Sequence, residues 1–173
     1  MGKLTVIVIT ACLFLGGCGR DYTVVKAEFR ETPRSGRDTT PEEWAFREQS
    51  SQYVTDGLIL FRQGNNVKAR QCFQQALETD SASWLAHYCL GLTLSKDESW
   101  DNALDHLRSS LEYAPADKRT RSLIHLAMGQ IRESQGSYGR ARQHYRTALN
   151  LHPESSGAVE GLKRLAELSQ TGK

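Results

Sequence analysis

The chain divides into three stretches by its pattern of apolar and polar positions. Residues 4–15 carry no charge, residues 19–39 are polar without a helical period, and residues 41–170 place apolar residues at helical spacing. At 1.5 Å per residue, the first stretch covers roughly 18 Å, which is too short to cross a bilayer. The pattern therefore predicts an N-terminal export signal, a polar tether and one folded helical domain.

The helical domain contains an internal repeat. An offset of 34 residues places Gly57 on Gly91 and Ala69 on Ala103, and a third copy follows after the extra residues 118–121. Small residues at fixed places let two helices approach closely, and a bulky residue at the following turn fills the gap between them. The aligned positions are Gly57, Gly91 and Gly129; Ala69, Ala103 and Ala141; Phe73, Leu107 and Tyr145; Ala76, Ser110 and Ala148; and Leu77, Leu111 and Leu149.

This period and these small residues resemble the tetratricopeptide repeat, a pair of antiparallel helices that stacks on its neighbours. The resemblance implies an all-α solenoid of about three helix pairs. After the third pair, Val159, Leu162 and Leu165 recur at helical spacing and predict a C-terminal capping helix over the last apolar face. The predicted repeats span about 50–83, 84–117 and 122–155, and the capping helix about 156–169.

The N-terminal apolar run ends in the sequence LGGC at residues 15–18, directly before Gly19. This sequence resembles the bacterial lipobox, in which a Leu and two small residues precede the Cys whose thiolate accepts a diacylglyceryl group. The resemblance implies a signal peptide over residues 1–17 and a lipid anchor on Cys18. Because Gly19 rather than Asp follows the Cys, it further implies a bacterial envelope lipoprotein of the outer membrane that faces the periplasm.

A tether is predicted over residues 18–40, between the lipid and the folded domain. It ends where Thr40 can cap a helix, Pro41 suits the first helical turn and Glu43 completes a capping box. The folded domain is therefore predicted to span residues 41–170.

Composition and charge restrict the class of partner. Lys and Arg number 22 and Asp and Glu number 20, so the formal net charge is only +2. This balance gives no electrostatic basis for binding nucleic acid. The hydrophobic content of 39% is ordinary for a globular domain. We expect another envelope protein as the partner, with the membrane reached through Cys18, and no small-molecule substrate.

Two of the four cysteines remain if residues 1–17, which contain Cys12, are removed and Cys18 carries lipid. Cys72 and Cys89 would then form an even pair in an oxidising compartment, so a disulfide is permitted. Their spacing does not show whether the two Cα atoms approach closely enough. The alternative is two separate small apolar residues on neighbouring helices.

The histidines do not predict a metal site. His87 and His125 occupy equivalent places in successive repeats, and so do His106 and His144. Equivalent places in stacked repeats lie farther apart than the roughly 8–10 Å of one interhelical contact, whereas the ligands of one zinc ion lie about 2 Å from it. The sequence also has no Gly-rich phosphate loop, no paired-Cys zinc spacing and no nucleophile elbow. We therefore predict no enzyme, no metal and no cofactor.

Function is expected on the concave face, which the inner helices line in tetratricopeptide repeats. The resemblance places apolar residues there in the first repeats and a polar end at Gln130 and Glu133. Chaperone-binding repeats hold acidic tails with a carboxylate clamp of Lys, Asn and Arg. Here the clamp positions hold Val54, Leu58, Cys89, Leu123 and Ala127, which exclude that mode. The predicted partner-binding groove consists of Val54, Leu58, Phe61, Leu85, Tyr88, Leu92, Leu123 and Leu126.

Three hypotheses of function follow. The first is a non-catalytic, membrane-anchored adaptor that is similar to the repeat lipoproteins of type IV pilus biogenesis, which help a secretin ring to assemble. The second is an adaptor for peptidoglycan enzymes, and the third is a structural subunit that self-associates. A competing interpretation of the groove is that residues 22–46, including Trp44 and Phe46, fold back and cover it.

Overall fold

The computed structural model describes residues 40–170 of the chain. The predicted signal peptide, Cys18 and nearly all of the predicted tether lie outside the described residues. Within them the chain forms seven α-helices and no strand, which confirms the predicted all-α fold. The helices are α1 (Pro41–Arg62), α2 (Asn66–Thr79), α3 (Trp84–Lys96), α4 (Trp100–Tyr113), α5 (Lys118–Ser134), α6 (Tyr138–Leu151) and α7 (Ser156–Gln170).

The first helix begins where the capping signal predicts. Thr40 is the N-cap of α1, its side chain accepts a hydrogen bond from the Glu43 amide, and the Glu43 side chain accepts one from the Thr40 amide. This reciprocal pair satisfies two amides that a helix start leaves without partners. The helix therefore starts well before the first repeat, and residues 42–49 are all exposed.

The helices pack in consecutive pairs, α1 on α2, α3 on α4 and α5 on α6, which we call repeats 1, 2 and 3. A three-residue turn joins the two helices of each pair. The middle residue of each turn has a positive φ, 78° at Gly64, 58° at Glu98 and 73° at Gly136. Glycine adopts this conformation without strain, whereas Glu98 does so at a cost.

Close contact inside each pair depends on the repeated glycines. A Cβ on Gly57 would lie 2.5 Å from the Phe73 ring, and one on Gly129 would lie 2.6 Å from the Tyr145 ring. Gly91 faces Leu107 in the same way, with a Cβ-to-Cγ distance of 3.0 Å. Each inner helix therefore rests directly on the bulky side chain of its outer helix, as the alignment predicts.

Three buried clusters follow one another along the solenoid. The first joins repeats 1 and 2 around Phe73 and Leu90, the second joins repeats 2 and 3 around Leu107 and Ile124, and the third lies under α7 around Tyr145. The outer face of α7 is largely polar, with exposed Glu160, Lys163 and Glu167, so this helix ends the apolar stack as a cap.

Candidate protein-binding groove

Six of the eight predicted groove residues are partly exposed. Phe61 and Leu85 pack against the first buried cluster, and Leu92 packs against the second. Tyr88 contacts both clusters and so lies where repeats 1 and 2 meet. The partly exposed row follows the inner helices α1, α3 and α5 and consists of Leu58, Phe61, Leu85, Tyr88, Leu92 and Leu123. We call this row the groove row.

The groove prediction is wrong for two residues, Val54 and Leu126, because both are buried in the core. Val54 is only 3% exposed and belongs to the first buried cluster. Leu126 is 8% exposed because α7 covers it, and a Cβ on Gly157 would lie 3.1 Å from its Cδ2 atom. The capping helix thus occupies the place that a further repeat would hold, and the groove ends near Leu123.

The predicted polar end of the groove at Glu133 is also wrong, since that carboxylate points into the protein. Glu133 is 8% exposed and accepts a hydrogen bond of 2.5 Å from the Tyr145 hydroxyl. Arg164 of α7 donates to both of its oxygens, from Nε and Nη2 at 3.0 Å each. This forked geometry is the strong form of an arginine–carboxylate pair. The network joins α5, α6 and α7.

Both partners of Glu133 are shifted in their ionisation. Burial, followed by the hydrogen bond to Glu133, raises the pKa of the Tyr145 hydroxyl. The hydrogen bond to Glu133 is the main cause that raises the pKa of Arg164. Each shift favours the protonated donor over the whole physiological range, so the network stays formed there.

The clamp positions hold no basic side chain. Val54, Cys89 and Ala127 are buried, and Leu58 and Leu123 are partly buried. A carboxylate placed among these side chains would lose its hydration without gaining a charged partner. The exclusion of an acidic tail from the groove stays a prediction.

Residues 40–46 are the described part of the segment 22–46, which was considered as a possible cover of the groove. Trp44 is 51% exposed and Phe46 is 56% exposed, so neither ring is buried in the groove. The remainder of that segment, residues 22–39, lies outside the described residues.

The two cysteines are free. Cys89 is buried in α3, Cys72 is partly buried in α2, and no disulfide joins them. Burial raises the pKa of the Cys89 thiol to about 12, which keeps it protonated and unreactive. The alternative of two separate small apolar residues is therefore the one that the structure adopts.

Four histidines form two side-chain pairs, each within a single repeat. Because only equivalent positions of different repeats were compared in the sequence, these pairs were not predicted. Within repeat 2, the Nδ1 atoms of His87 and His106 lie 3.0 Å apart, and within repeat 3 those of His125 and His144 lie 3.3 Å apart. Each ring centroid separation, 5.3 Å and 5.6 Å, exceeds the nitrogen separation by about two ring radii. The nitrogens thus point at each other, as a shared N–H···N hydrogen bond requires, rather than converging on one ion.

The tautomers of the first pair follow from a third contact. His87 Nε2 lies 3.1 Å from the Ser81 carbonyl, which can only accept, so Nε2 carries the proton in neutral His87. Its Nδ1 then accepts from the Nδ1–H of His106. Sequence spacing could have found these pairs, because both are separated by 19 residues.

Over residues 40–170, no three His, Cys, Asp or Glu side chains gather as they would around a metal ion. The same residues contain no helix with the length and apolar character needed to cross a membrane.

The paired helices, the glycine contacts and the polar cap define a tetratricopeptide-repeat solenoid. Residues 57–97 match the family model described as TPR repeat. The TPR domain of OM64 from Arabidopsis superposes with a TM-score of 0.65 at 20% identity, covering 70% of this chain and 98% of that one. The Sgt2 TPR domain from Aspergillus fumigatus gives a TM-score of 0.63 at 18% identity, covering 77% and 82%.

Two further comparisons concern partners and length. The first TPR of Spaghetti (RPAP3), solved with an HSP90 peptide, superposes with a TM-score of 0.65 at 14% identity, covering 72% of this chain and 95% of that one. Superkiller protein 3 of Schizosaccharomyces pombe is 25% identical over 113 residues, which are 64% of this chain but 8% of that protein. The structural likenesses establish the fold.

Proposed function

We propose that this protein is a non-catalytic adaptor, anchored to the outer membrane of a bacterium by lipid on Cys18, that holds another envelope protein in its groove. The groove row is the observation that carries the proposal. It consists of partly exposed apolar side chains on the inner helices α1, α3 and α5. Apolar side chains that stay partly exposed along one face of a domain often mark an interaction site.

An apolar helix or extended segment is the partner that fits this row. The clamp positions lack basic side chains, so an acidic tail would gain nothing there. Apolar side chains spaced along a partner segment would be buried between successive inner helices, each contributing about 25 cal/mol per Å² of apolar area. The specific role that we propose is assembly of a type IV pilus secretin, supported by the lipobox and the repeats together.

Site-specific photo-cross-linking in intact cells tests the groove at a position that packs against one buried cluster rather than two. Because Tyr88 packs against two buried clusters, a charge there would also destabilise the fold. The cross-linking amino acid is better placed at Leu85, with a matched control at Val67 of α2, which is 60% exposed. We expect a specific envelope protein to be captured from Leu85 and not from Val67. Equal capture from both positions would refute the groove as the site.

The identity of the captured protein separates the hypotheses. A secretin or another pilus component supports the proposed role, whereas a peptidoglycan hydrolase or synthase supports the second hypothesis. Capture of a second copy of this chain supports the self-associating subunit, and light scattering would then show a stable oligomer.

The anchor is tested separately. Metabolic labelling with a palmitate analogue should label the wild-type chain, and Cys18→Ser should abolish the label. A labelled variant would rule out the anchor at Cys18. Because Gly19 rather than Asp follows Cys18, we expect the labelled protein to fractionate with outer-membrane markers. Recovery with inner-membrane markers would contradict the proposed sorting.

A further inference from the structure

A surface cleft lies where α2, α3 and α4 meet, and we call it the repeat 2 cleft. It measures about 330 Å³, which is at the lower end of the range for small-ligand sites. Two aliphatic side chains of α3, Leu90 and Leu94, line it together with His87, and Gln74 lines it from α2. The remaining lining is one stripe of α4, with spacings of three and four residues, that consists of Asn102, Asp105, His106 and Ser109.

The imidazole of His106 presents a hydrogen-bond acceptor to solvent. His87 is held by its contact with the Ser81 carbonyl and by stacking on Tyr113, with ring centroids 5.8 Å apart. Because His87 Nδ1 accepts the Nδ1 proton of His106, Nε2 of neutral His106 carries a lone pair. This Nε2 has no hydrogen-bond partner among the described residues and is not one of the buried atoms there that lack a partner, so solvent reaches it. Burial is the main cause that lowers the pKa of His106, which keeps the ring neutral at physiological pH.

The lining of the cleft carries a negative charge. Asp105 is the acidic residue of the lining, which includes no Lys or Arg. Arg108 pairs with Asp105 Oδ1 outside the lining, where the two side chains are 60% and 66% exposed. An exposed pair at this helical spacing contributes little, and it leaves Oδ2 of the carboxylate unengaged. A second cation can therefore share this carboxylate.

The equivalent places in repeats 1 and 3 have the opposite charge. At the place of Asp105 both repeats have a glutamine, and at the place of Asn102 both have a cation. The equivalent residues are Gln71 and Gln143 for Asp105, and Lys68 and Arg140 for Asn102. A carboxylate without a neighbouring cation in the lining is thus specific to repeat 2 and does not follow from the repeat pattern.

We propose that the repeat 2 cleft is a binding site for a primary ammonium group on an alkyl chain. An ammonium group has three donors around one point, whereas the donors of a guanidinium group lie in one plane and match a single carboxylate. The stripe of α4 offers three acceptors, namely the Asn102 amide oxygen, Asp105 Oδ2 and His106 Nε2.

The apolar part of the lining favours an organic cation over a metal ion. Leu90 and Leu94 would contact the alkyl chain, whereas a hydrated metal ion gains nothing from aliphatic side chains. Over residues 40–170, His, Cys, Asp and Glu side chains also do not gather in threes as metal ligands do. The site shares no residue with the groove row and does not rest on the proposed function.

The probe is Nα-acetyl-lysine amide, whose only charge is the ammonium group of its side chain. It is added to the purified full chain at constant ionic strength and at about pH 7.5, above the ordinary histidine pKa. The imidazole Cε1–H signals are followed by NMR. We expect a saturable shift at His106, a smaller one at His87, and none at His125 and His144. Nα-acetyl-norleucine amide has the alkyl chain without the ammonium group and should cause no shift.

The other repeats supply matched variants. Asp105→Gln introduces the side chain of repeats 1 and 3 and should bind about tenfold more weakly, because a charge-assisted contact is lost. Asn102→Lys introduces the side chain of repeat 1 and should abolish the saturable shift, because its own ammonium group would compete for the acceptors. Both wild-type side chains are exposed, so neither change disturbs the core. Unchanged affinity in either variant, shifts that do not saturate, or equal shifts at both histidine pairs would overturn the proposal.

Two further probes test the chemical class of the ligand. Tighter binding of Nα-acetyl-arginine amide than of the lysine probe would show a guanidinium site and would overturn the proposal. A saturable response of His106 to Zn²⁺, with none to the lysine probe, would show a metal site and would overturn it as well.

Two sources of the ammonium group are separated by putrescine, a free diamine. Binding of the lysine probe at least as tightly as putrescine identifies a Lys side chain of a protein partner as the ligand. Tighter binding of putrescine identifies a free polyamine. Both results retain the site, and neither depends on what the groove binds.

Discussion

Repeat 2 lies between two helix pairs, repeat 1 and repeat 3. Repeat 3 is the last of the series and packs against repeat 2 and the capping helix α7. The two repeats share one backbone plan but differ in their local interactions. Repeat 3 turns through Gly136, and repeat 2 turns through Glu98 with the same positive φ. A residue with a side chain costs roughly 1–2 kcal/mol more than glycine in this conformation. The internal repeat therefore tolerates strain that the terminal repeat avoids.

The same contrast appears in the helix contacts. In repeat 3 the Ser122 hydroxyl donates to the Ala148 carbonyl at 2.7 Å, and in repeat 1 Ser50 donates likewise to Ala76 at 3.0 Å. In repeat 2, Trp84 stands at the place of these serines. Within the described chain the Ser110 hydroxyl of that repeat is buried without a hydrogen-bond partner.

The terminal repeat also has a polar network that the internal repeat lacks. Tyr145 takes the place of Leu107, and its hydroxyl reaches Glu133, which Arg164 of the cap also contacts. A repeat in the middle of a solenoid is stabilised by two apolar interfaces, but a terminal repeat has one neighbour and a single capping helix. We infer that specific local contacts replace the missing interface in repeat 3, and the following variants test this comparison.

The largest effect is expected from Gly129→Ala. Its Cβ would lie 2.6 Å from Tyr145 Cε1, and the ring cannot move away because Gly161 of α7 faces its other edge. We expect a loss of about 3 kcal/mol, at the upper end for overpacking. The control is Gly91→Ala, whose Cβ would lie 3.0 Å from the Ala103 carbonyl and from Leu107 Cγ. Urea unfolding should show a smaller loss for the control, and a larger one would reverse the comparison.

The second effect is the loss of the cap network in Arg164→Leu. The Glu133 side chain is 7% exposed and would lose both hydrogen bonds from the guanidinium group, so a buried carboxylate would lose the charge of Arg164. The arginine is 43% exposed, which reduces the expected loss to about 2 kcal/mol. Adding Glu133→Leu should recover part of that loss, because the uncompensated charge is then gone. A double variant less stable than Arg164→Leu alone would argue against this cause.

A third effect depends on pH. The pKa values of all four paired histidines are lowered, chiefly by burial, so the unfolded chain binds more protons than the folded chain at mildly acidic pH. Stability is therefore full above the ordinary histidine pKa of about 6.5 and falls as the pH drops toward 4, the value for His144. The arginines near repeat 3 should make its pair the larger contributor. We expect His125→Gln, His144→Gln to flatten the dependence of Tm on pH more than His87→Gln, His106→Gln does.

The sequence predicts the helices and their pairing because both rest on local signals. The capping box at Thr40, the turn glycines and the contacts of Gly57 with Phe73 can all be inferred from spacing. The burial of Val54 and Leu126 cannot be inferred from spacing, because the burial of an inner-helix side chain depends on which residues pack against it. Leu126 is covered by α7, a helix that the repeat pattern places only as following the last pair.

The prediction that Glu133 lies at the surface of the groove was wrong for a related reason. A single repeat pattern assigns its position to the concave surface, but Tyr145 and Arg164 together offer a carboxylate three donors there. These residues lie 12 and 31 positions away along the chain, so no local spacing connects them. The histidine pairs were within reach of the sequence, since their common separation of 19 residues matches two facing positions of one repeat.

A fourth and smaller effect is a gain from Glu98→Gly. The substitution would give repeat 2 the turn of repeats 1 and 3 and remove the cost of a side chain at a φ of 58°. Glycine loses more entropy on folding, so the net gain should be about 1 kcal/mol. The reciprocal change Gly136→Ala should lose a similar amount, since nothing lies within 4 Å of its Cβ and strain alone is introduced. Equal stability for Glu98→Gly and wild type would show that the turn of repeat 2 is not strained.

The smallest effect, and the one that isolates a single hydroxyl, is expected from Ser110→Ala. The hydroxyl is fully buried without a partner among the described residues, and alanine occupies the equivalent place in repeats 1 and 3. Removing it should relieve a desolvation cost and stabilise the domain by somewhat less than about 1 kcal/mol, because the Cβ and the packing stay unchanged. Ser122→Ala is the matched control and should change the stability in the opposite direction. It removes a hydrogen bond of 2.7 Å to the Ala148 carbonyl, which the His152 amide continues to donate to at 2.8 Å. The control should therefore lose no more than about 1 kcal/mol. If thermal unfolding showed both serine variants to be destabilised, Ser110 would have a partner in solution, and the contrast between the unsatisfied Ser110 of repeat 2 and the hydrogen-bonded Ser122 of repeat 3 would fail.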